Sequence, residues 1–294
     1  MSKPSQSSVL FDALGPRGRK RVAASSVGSL IVVLAIVGFA AYQLNSKGFF
    51  EADRWANPLD ALVIENSWLP ALLNTLQAAG MGCVGALVLG TFIGFGRISR
   101  FKVLRFLSGV YVQFFRAMPV VMLIWLPFTS LNHIGVNVNS LWFVVVGLAV
   151  YNGAVLAEIL RSGINALPSG QAAAGQAIGL RHGQVMRYVV FPQAFRNMLP
   201  AVLAQLVVLL KDTALGYIVV YTELLRTGRL VGTDYPQSYL QSLIIAAGVY
   251  FIIAYTLSKI VSVVEKRTRR KVPKAAKAVA PGLSAVGGGG VTVA

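Results

Sequence analysis

"GMGCVGALVLGTFIG", Gly80 to Gly94, holds no charged residue and sits inside an apolar run from about 69 to 95. Such a run exceeds the ~20 apolar residues needed to cross ~30 Å of hydrocarbon. Reading the 294-residue chain in the same way gives predicted spans at about 26–44, 69–95, 106–128, 140–160, 198–220 and 240–262. Composition agrees, with 55% of residues hydrophobic, 13% charged and a mean hydropathy of +0.66. A soluble domain carries about twice that share of charge. The chain is therefore predicted to be an all-α polytopic membrane protein with about six transmembrane helices. The spacing Gly90-x-x-x-Gly94 lets helices approach closely, and we read it as packing inside one bundle rather than a dimer seam. The lone Cys83 cannot pair within the chain and reads as a small packing residue. Trp55, Trp68, Trp125 and Trp142 fall near predicted span ends, where indole rings anchor at the interface.

Lys and Arg number 27 against 10 Asp and Glu, a balance that elsewhere suggests a nucleic-acid partner. Here the excess lies between and beyond the spans, so topology explains it and no nucleic acid is expected. With the amino terminus inside, 21 of the 27 basic residues fall on the cytoplasmic side and four outside. Lys/Arg bias of this kind orients spans in a membrane. Both termini are thus predicted to be cytoplasmic, in a multi-pass plasma-membrane protein. The expected organisation is a basic tail at 1–25, with Arg17, Arg19, Lys20 and Arg21, and an extra span with its extracytoplasmic loop at 26–67. A membrane domain at 68–264 follows, with a cytoplasmic loop at 161–196, then a basic tail at 265–294 whose low-complexity end is expected to be disordered.

No G-x-x-x-x-G-K-[ST] phosphate loop occurs, so this chain does not cradle a nucleotide in the usual way. His133 and His182 are expected on opposite sides of the membrane, and no metal site is predicted. No nucleophile–base pair stands out, and no catalytic residue is assigned. Ionisable residues inside spans are costly and mark solute paths or paired sites. Arg116, Lys211 and Asp212 are the candidates for a translocation path, with Glu158 near a cytoplasmic end. One Asp beside a Lys is a poor proton relay, so energy for transport is expected from another subunit. Arg116 stands either mid-span or at the end of a short helix broken at Pro119; the break in "RAMP" places the charge at the surface at lower cost. Lys211-Asp212 reads either as a discontinuous helix lining a vestibule or as an outer-end anchor.

The 161–196 loop is patterned. Ala172 to Ile178 favours helix and Gly179 can close it in a left-handed cap. "RHGQVMRYVVF" carries Val185, Tyr188, Val189 and Phe191 at helical spacing, and Pro192 is expected to interrupt it. Two short helices joined by a glycine turn, with small side chains on one flank, suit a groove on a partner protein. An amphipathic hairpin lying on lipid is the alternative, and the low charge of 170–177 argues against it.

"LPSGQAAAGQAIGLRHGQVMRYVVFPQAFRNMLP" resembles the EAA loop of ABC-importer permeases, in the subgroup serving polar amino acids. Gly170, Gln171, Ala174, Gly179, Pro192, Gln193, Ala194, Leu199 and Pro200 match its pattern. "FRAMP", "AEILRSGI" and "LLKDTAL" fit the same subgroup, and the likeness covers about 68–264. The extra amino-terminal span is similar to that of glutamate-uptake permease subunits of actinobacterial type. Ala173 departs from the pattern, where the family usually has Glu, and Ala174-Gly175 follows in place of Ala-Ala. The resemblance implies a type I ABC-importer permease fold and a coupling loop built on Gly170, Gln171, Ala173, Ala174, Gly175, Gly179 and Pro192. It implies import of an L-amino acid, with glutamate ahead of aspartate or glutamine. It also implies an ATPase subunit using ATP and Mg, a second homologous permease or a self-dimer, an extracytoplasmic amino-acid-binding protein and membrane lipid as partners. No cofactor is expected on this chain. A nucleotide-independent secondary carrier and a membrane scaffold recruiting a soluble partner are the alternatives.

Overall fold

The computed structural model describes residues 15–270, and the outer parts of both predicted tails lie outside them. The chain divides between Leu59 and Asp60 into two compact units. The first holds α1, Pro16–Ser46, whose apolar part from Lys20 is 27 residues long. At ~1.5 Å per residue that is about 40 Å, enough to cross a bilayer. Gly48, at φ +71°, turns the chain back, and the Phe49 N–H bonds the Leu44 carbonyl at 3.0 Å. Phe49 and Trp55 pack edge to face, and the Trp55 indole N–H donates to the Phe49 carbonyl at 3.0 Å.

The second unit is a helical bundle without strands among its described residues. Its elements are α2 (Ala61–Ile98), α3 (Lys102–Ala117), α4 (Val120–His133), α5 (Ser140–Asn165), α6 (Ser169–Ala177), α7 (His182–Val219), α8 (Leu224–Asp234) and α9 (Tyr239–Arg270). Among the described residues five helices are long and apolar enough to cross a membrane, and the bent pair α3–α4 makes a sixth span if taken as one. Helix α9 continues to Arg270, so the first residues of the predicted basic tail are helical.

The α2–α5 pair is the most extensive packing in the bundle. Its seam is made of small residues: a Cβ on Gly90 would stand 2.7 Å from the Leu156 Cβ and 3.0 Å from the Gly153 carbonyl oxygen. One on Gly94 would meet a Leu160 methyl at 2.5 Å. The glycine spacing thus serves internal packing, since dispersion contacts drive helices together where lipid and leucine are equally apolar. Ile124, Val144, Leu148 and Leu209 fill the centre among α2, α4, α5 and α7, with Cys83 packed against them as a small hydrophobe.

The span predicted over 106–128 is broken at Pro119, as the reading of "RAMP" favoured. Met118 is extended, at φ −82° and ψ 138°, and α3 and α4 meet at a 91° bend. The residue before a proline is disfavoured in helix, and Pro119 offers no N–H to bridge the gap. Two other prolines, Pro70 and Pro192, follow wider turns. Five-residue π-turns at Ile64–Trp68 and Met186–Val190 end just before Leu69-Pro70 and Phe191-Pro192. The expectation that Pro192 interrupts the loop's second helix is therefore corrected: α7 runs on through it from His182 to Val219. A π-turn lets the chain pass the carbonyl that the proline ring would strike, and each proline then stands in the first α-helical turn after it, where a missing donor is tolerated. Trp68 is a second correction. It is 6% exposed, packed with Leu224 and Ala246, so it anchors α8 and not the lipid interface. Trp125 and Trp142 are exposed, as interfacial rings should be.

Val220, between α7 and α8, has φ +64° although it is β-branched and half exposed. Such a conformation costs roughly 1–3 kcal/mol. Val220→Asn, which suits the left-handed region, is expected to stabilise the detergent-purified chain by about 1 kcal/mol. An unchanged or lower thermal midpoint would show that the turn carries no strain.

Candidate functional site: a projecting helix and a charged path

Helix α6 is nine residues long and lies in the chain between α5 and α7. A helix that short is not stable alone, so neighbouring side chains must hold it. Gly175, buried on α6, lies so close to α7 that an added Cβ would stand 3.1 Å from a Val185 methyl. Ala172, Val185, Val190, Ala194 and Met198 join one apolar cluster with Leu160 and Ile164 of α5. The Gln193 amide donates to the Gln171 side-chain oxygen at 3.1 Å and to the Val189 carbonyl at 2.9 Å. Gly179 closes the helix at φ +85°, with the Leu180 N–H bonding the Gly175 carbonyl at 3.2 Å. Only glycine takes that conformation without strain. Backward, α6 is fastened; outward, it shows Gly170, Ala173 and Ala174, all exposed. Pro192 is exposed in the turn that follows the π-turn. The loop residues are therefore brought together, with Ala173 exposed on the open face of α6.

The three charged candidates are not gathered at one point. Arg116 is exposed in the last turn of α3, at the elbow, and makes no ion pair among the described residues. Lys211 lines a cavity of about 350 Å³ with Tyr250, Phe251, Tyr255 and Ser258 of α9. Asp212, half-buried, ends the α-helical part of α7, which tightens into a 3-10 turn over Thr213–Val219. Neither Arg116 nor Asp212 lines the Lys211 cavity.

Two charged arrangements escaped sequence reasoning. Glu158 on α5 accepts from Arg97 of α2 at 3.0 Å and from the Arg161 guanidinium one turn on. The i,i+3 spacing of Glu158 and Arg161 was legible, but Arg97 is distant in sequence. Glu158→Gln would leave two guanidiniums facing each other. It should lower stability by about 1–3 kcal/mol, between the exposed-pair and buried-pair limits. The Arg97→Gln/Glu158→Gln double variant should lose less than the sum of the singles, and strict additivity in thermal melts would dismiss the pair.

The second arrangement is Glu223, fully buried at the start of α8 and outside the candidate spans. Its carboxylate accepts from the Leu225 and Arg226 amides and from the Tyr250 hydroxyl, each at 2.7 Å. Burial pushes the carboxyl above the usual range, and these donors oppose the rise. Around it the Tyr221 hydroxyl donates to the Asn74 carbonyl at 2.8 Å, and the Asn74 amide donates to the Thr222 carbonyl at 2.8 Å. The network ties α2, α8 and α9 at the end away from α6.

The model for the family described as binding-protein-dependent transport system inner membrane component matches residues 86–270. The glutamate transport system permease protein GluD of Corynebacterium glutamicum is 36% identical over 229 residues, 77% of this chain and 84% of that protein. The arginine transport system permease protein ArtQ of Bacillus subtilis is 30% identical over 202 residues, 68% of this chain and 92% of that protein. Among solved structures, an amino acid ABC transporter with histidines is 29% identical, with TM-score 0.67, covering 71% of this chain and 97% of that one. An inward-facing MetNI methionine transporter, 21% identical with TM-score 0.56, covers 72% of this chain and 98% of that one and shares the fold. With these likenesses and its bundle of apolar spans, the chain belongs to the family of binding-protein-dependent transport system inner membrane components.

Proposed function

We propose that this chain is the permease subunit of an ATP-driven importer of an L-amino acid, glutamate ahead of aspartate or glutamine. The observation that carries the reading is α6: a short helix fastened to α7 on one side and bare of bulk and charge on the other. Such a face fits a groove on an ATPase subunit, which would hold the ATP and Mg, while this chain binds no cofactor and catalyses nothing. Glutamate is favoured by the likeness to the Corynebacterium glutamicum protein. Charge bias supports termini in the cytosol, and α6 with them. A second homologous permease or a second copy of this chain, together with an extracytoplasmic amino-acid-binding protein, completes the assembly.

The mechanism follows from continuity. Because α7 is helical from His182 to Val219, a push on α6 enters one long lever. From His182 to Lys211 that lever is about 44 Å long at ~1.5 Å per residue. Pro200 inside α7 offers a place to bend. Movement of α6 can thereby reach the Lys211 cavity on the far side of the bundle, where the cation would attract an acidic solute. Arg116 and Asp212 remain the other candidate path residues.

The test is reconstitution of the assembly in vesicles with its ATPase and binding protein. Glutamate should stimulate ATP hydrolysis, and uptake should require nucleotide. Stimulation by none of glutamate, aspartate and glutamine would reject the substrate. Uptake by this chain without an ATPase would reject the coupling and favour a secondary carrier.

A further inference from the structure

Two cavities at the α6 end of the bundle share a wall. The larger, about 560 Å³, lies between the end of α2 and the start of α7, rimmed by Arg100, His182 and Arg187. Phe95 and Phe191, 5.8 Å apart between ring centroids, form its floor. The smaller, about 100 Å³, is bounded by the same two rings and continues between α2, α5 and α7 past Leu87, Phe195 and Val202. Charge is confined to one end of this composite groove, and no carboxylate lines either part. Glu158, the acid nearest in sequence to the α5 wall, is taken up by Arg97 and Arg161.

From Ile98 to Leu87 along α2, or from Phe191 to Val202 along α7, the groove runs about 16 Å at ~1.5 Å per residue, with Arg100 and Arg187 beyond it. The hydrocarbon of one leaflet is about 15 Å deep, half of ~30 Å. Set with that rim at a membrane surface, the groove would present a cationic head there and an apolar slot about one leaflet deep. We propose that it binds one anionic glycerophospholipid, the phosphate against Arg100 and Arg187 and an acyl chain in the slot beside Leu87 and Phe195. Guanidinium forks suit phosphate, and basic pockets between membrane helices take acidic head groups. A free phosphate would use the rim and leave the slot empty. A peptide would bury unsatisfied backbone donors and acceptors there. Since Arg181 and His182 adjoin the turn that closes α6, lipid at the rim would steady the lever at its base. The proposal needs only that α2 and α7 cross a bilayer with the Arg100–Arg187 rim at its surface, so it stands or falls apart from substrate and ATP coupling.

The full-length chain, purified in neutral detergent, would be titrated with phosphatidylglycerol and with phosphatidylcholine of the same acyl chains, bound lipid being counted by native mass spectrometry. The unmodified chain should prefer the anionic lipid by at least about tenfold, and Arg100→Gln/Arg187→Gln should bring that to about twofold. Lys102→Gln/Arg105→Gln, which removes two of the three basic residues of a separate groove beside Phe106 and Gln113, should leave the preference intact. Leu87→Trp, which fills the slot, should weaken lipid binding with the rim unaltered. Arg100 and Arg187 are exposed, so folding should survive; if the glutamine pair aggregates, Arg100→Lys/Arg187→Lys must keep the preference. No preference in the unmodified chain, or one that survives the glutamine pair, overturns the proposal. Inorganic phosphate competing as well as lipid would make this a free-anion site and overturn it too. So would cross-links from position 187 that reach only the ATPase subunit in the assembled transporter, because the rim would then be a protein interface.

Discussion

Gly175→Leu is expected to cut nucleotide-dependent uptake and ATPase co-purification by at least about tenfold, a factor worth ~1.4 kcal/mol. The reason is geometric. A Cβ at residue 175 already stands 3.1 and 3.4 Å from the two Val185 methyls and 3.5 Å from a Val189 methyl. The remaining leucine atoms have no room, and overpacking of this kind costs about 1–3 kcal/mol. Helix α6 has no independent stability to absorb that cost. It can lift away from α7 or unwind, and either removes the rigid link between partner and lever. Gly175→Ala, adding the Cβ alone, should give an intermediate loss. Lys at Ala174, which is exposed, should abolish ATPase recruitment while leaving the thermal midpoint unchanged. Full uptake in Gly175→Leu together with retained ATPase in Ala174→Lys would end the coupling reading.

Gly90→Leu should be the most damaging single change to the bundle itself. Its Cβ would strike not a movable side-chain tip but the Leu156 Cβ and the Gly153 carbonyl, both close to the α5 backbone. Gly153 meets α2 in return, its own Cβ position being 3.0 Å from the Leu89 Cβ. Two helices in mutual backbone approach cannot make room by changing rotamers. The expected loss is about 3 kcal/mol or more, a fall of about 6–12 °C in thermal midpoint for a bundle of this size. Gly80→Leu is the control, because nothing lies within 4 Å of the Cβ it would add. Equal midpoints for the two variants would mean that the α2–α5 seam does not hold the bundle together.

Much of this architecture was legible one residue at a time. Charge-free runs give helices, because in hydrocarbon a spanning segment must satisfy its own backbone. Proline at 119 marks the elbow, because a local steric rule acts on its immediate predecessor. Glycine at 179 marks the end of α6 for the same local reason. Pro192 misled because the rule that breaks a helix also permits a π-turn, and the choice between them rests on packing. Trp68 misled because a hydropathy pattern reports that a ring is near a span end, not whether a helix 160 residues later covers it.

The sequence by itself thus determined the membrane class, the order of the spans, the elbow and the short helix α6, all consequences of local backbone chemistry and of length against bilayer thickness. Only the tertiary structure decided which faces meet. Helices apolar on all sides carry no phase to read. The Arg97–Glu158 pair, the Glu223–Tyr250 bond, the Gly90–Gly153 seam and the groove behind Arg100 each join residues far apart in the chain. In a membrane bundle, where burial from water no longer sorts inside from outside, close packing and long-range hydrogen bonds make that decision.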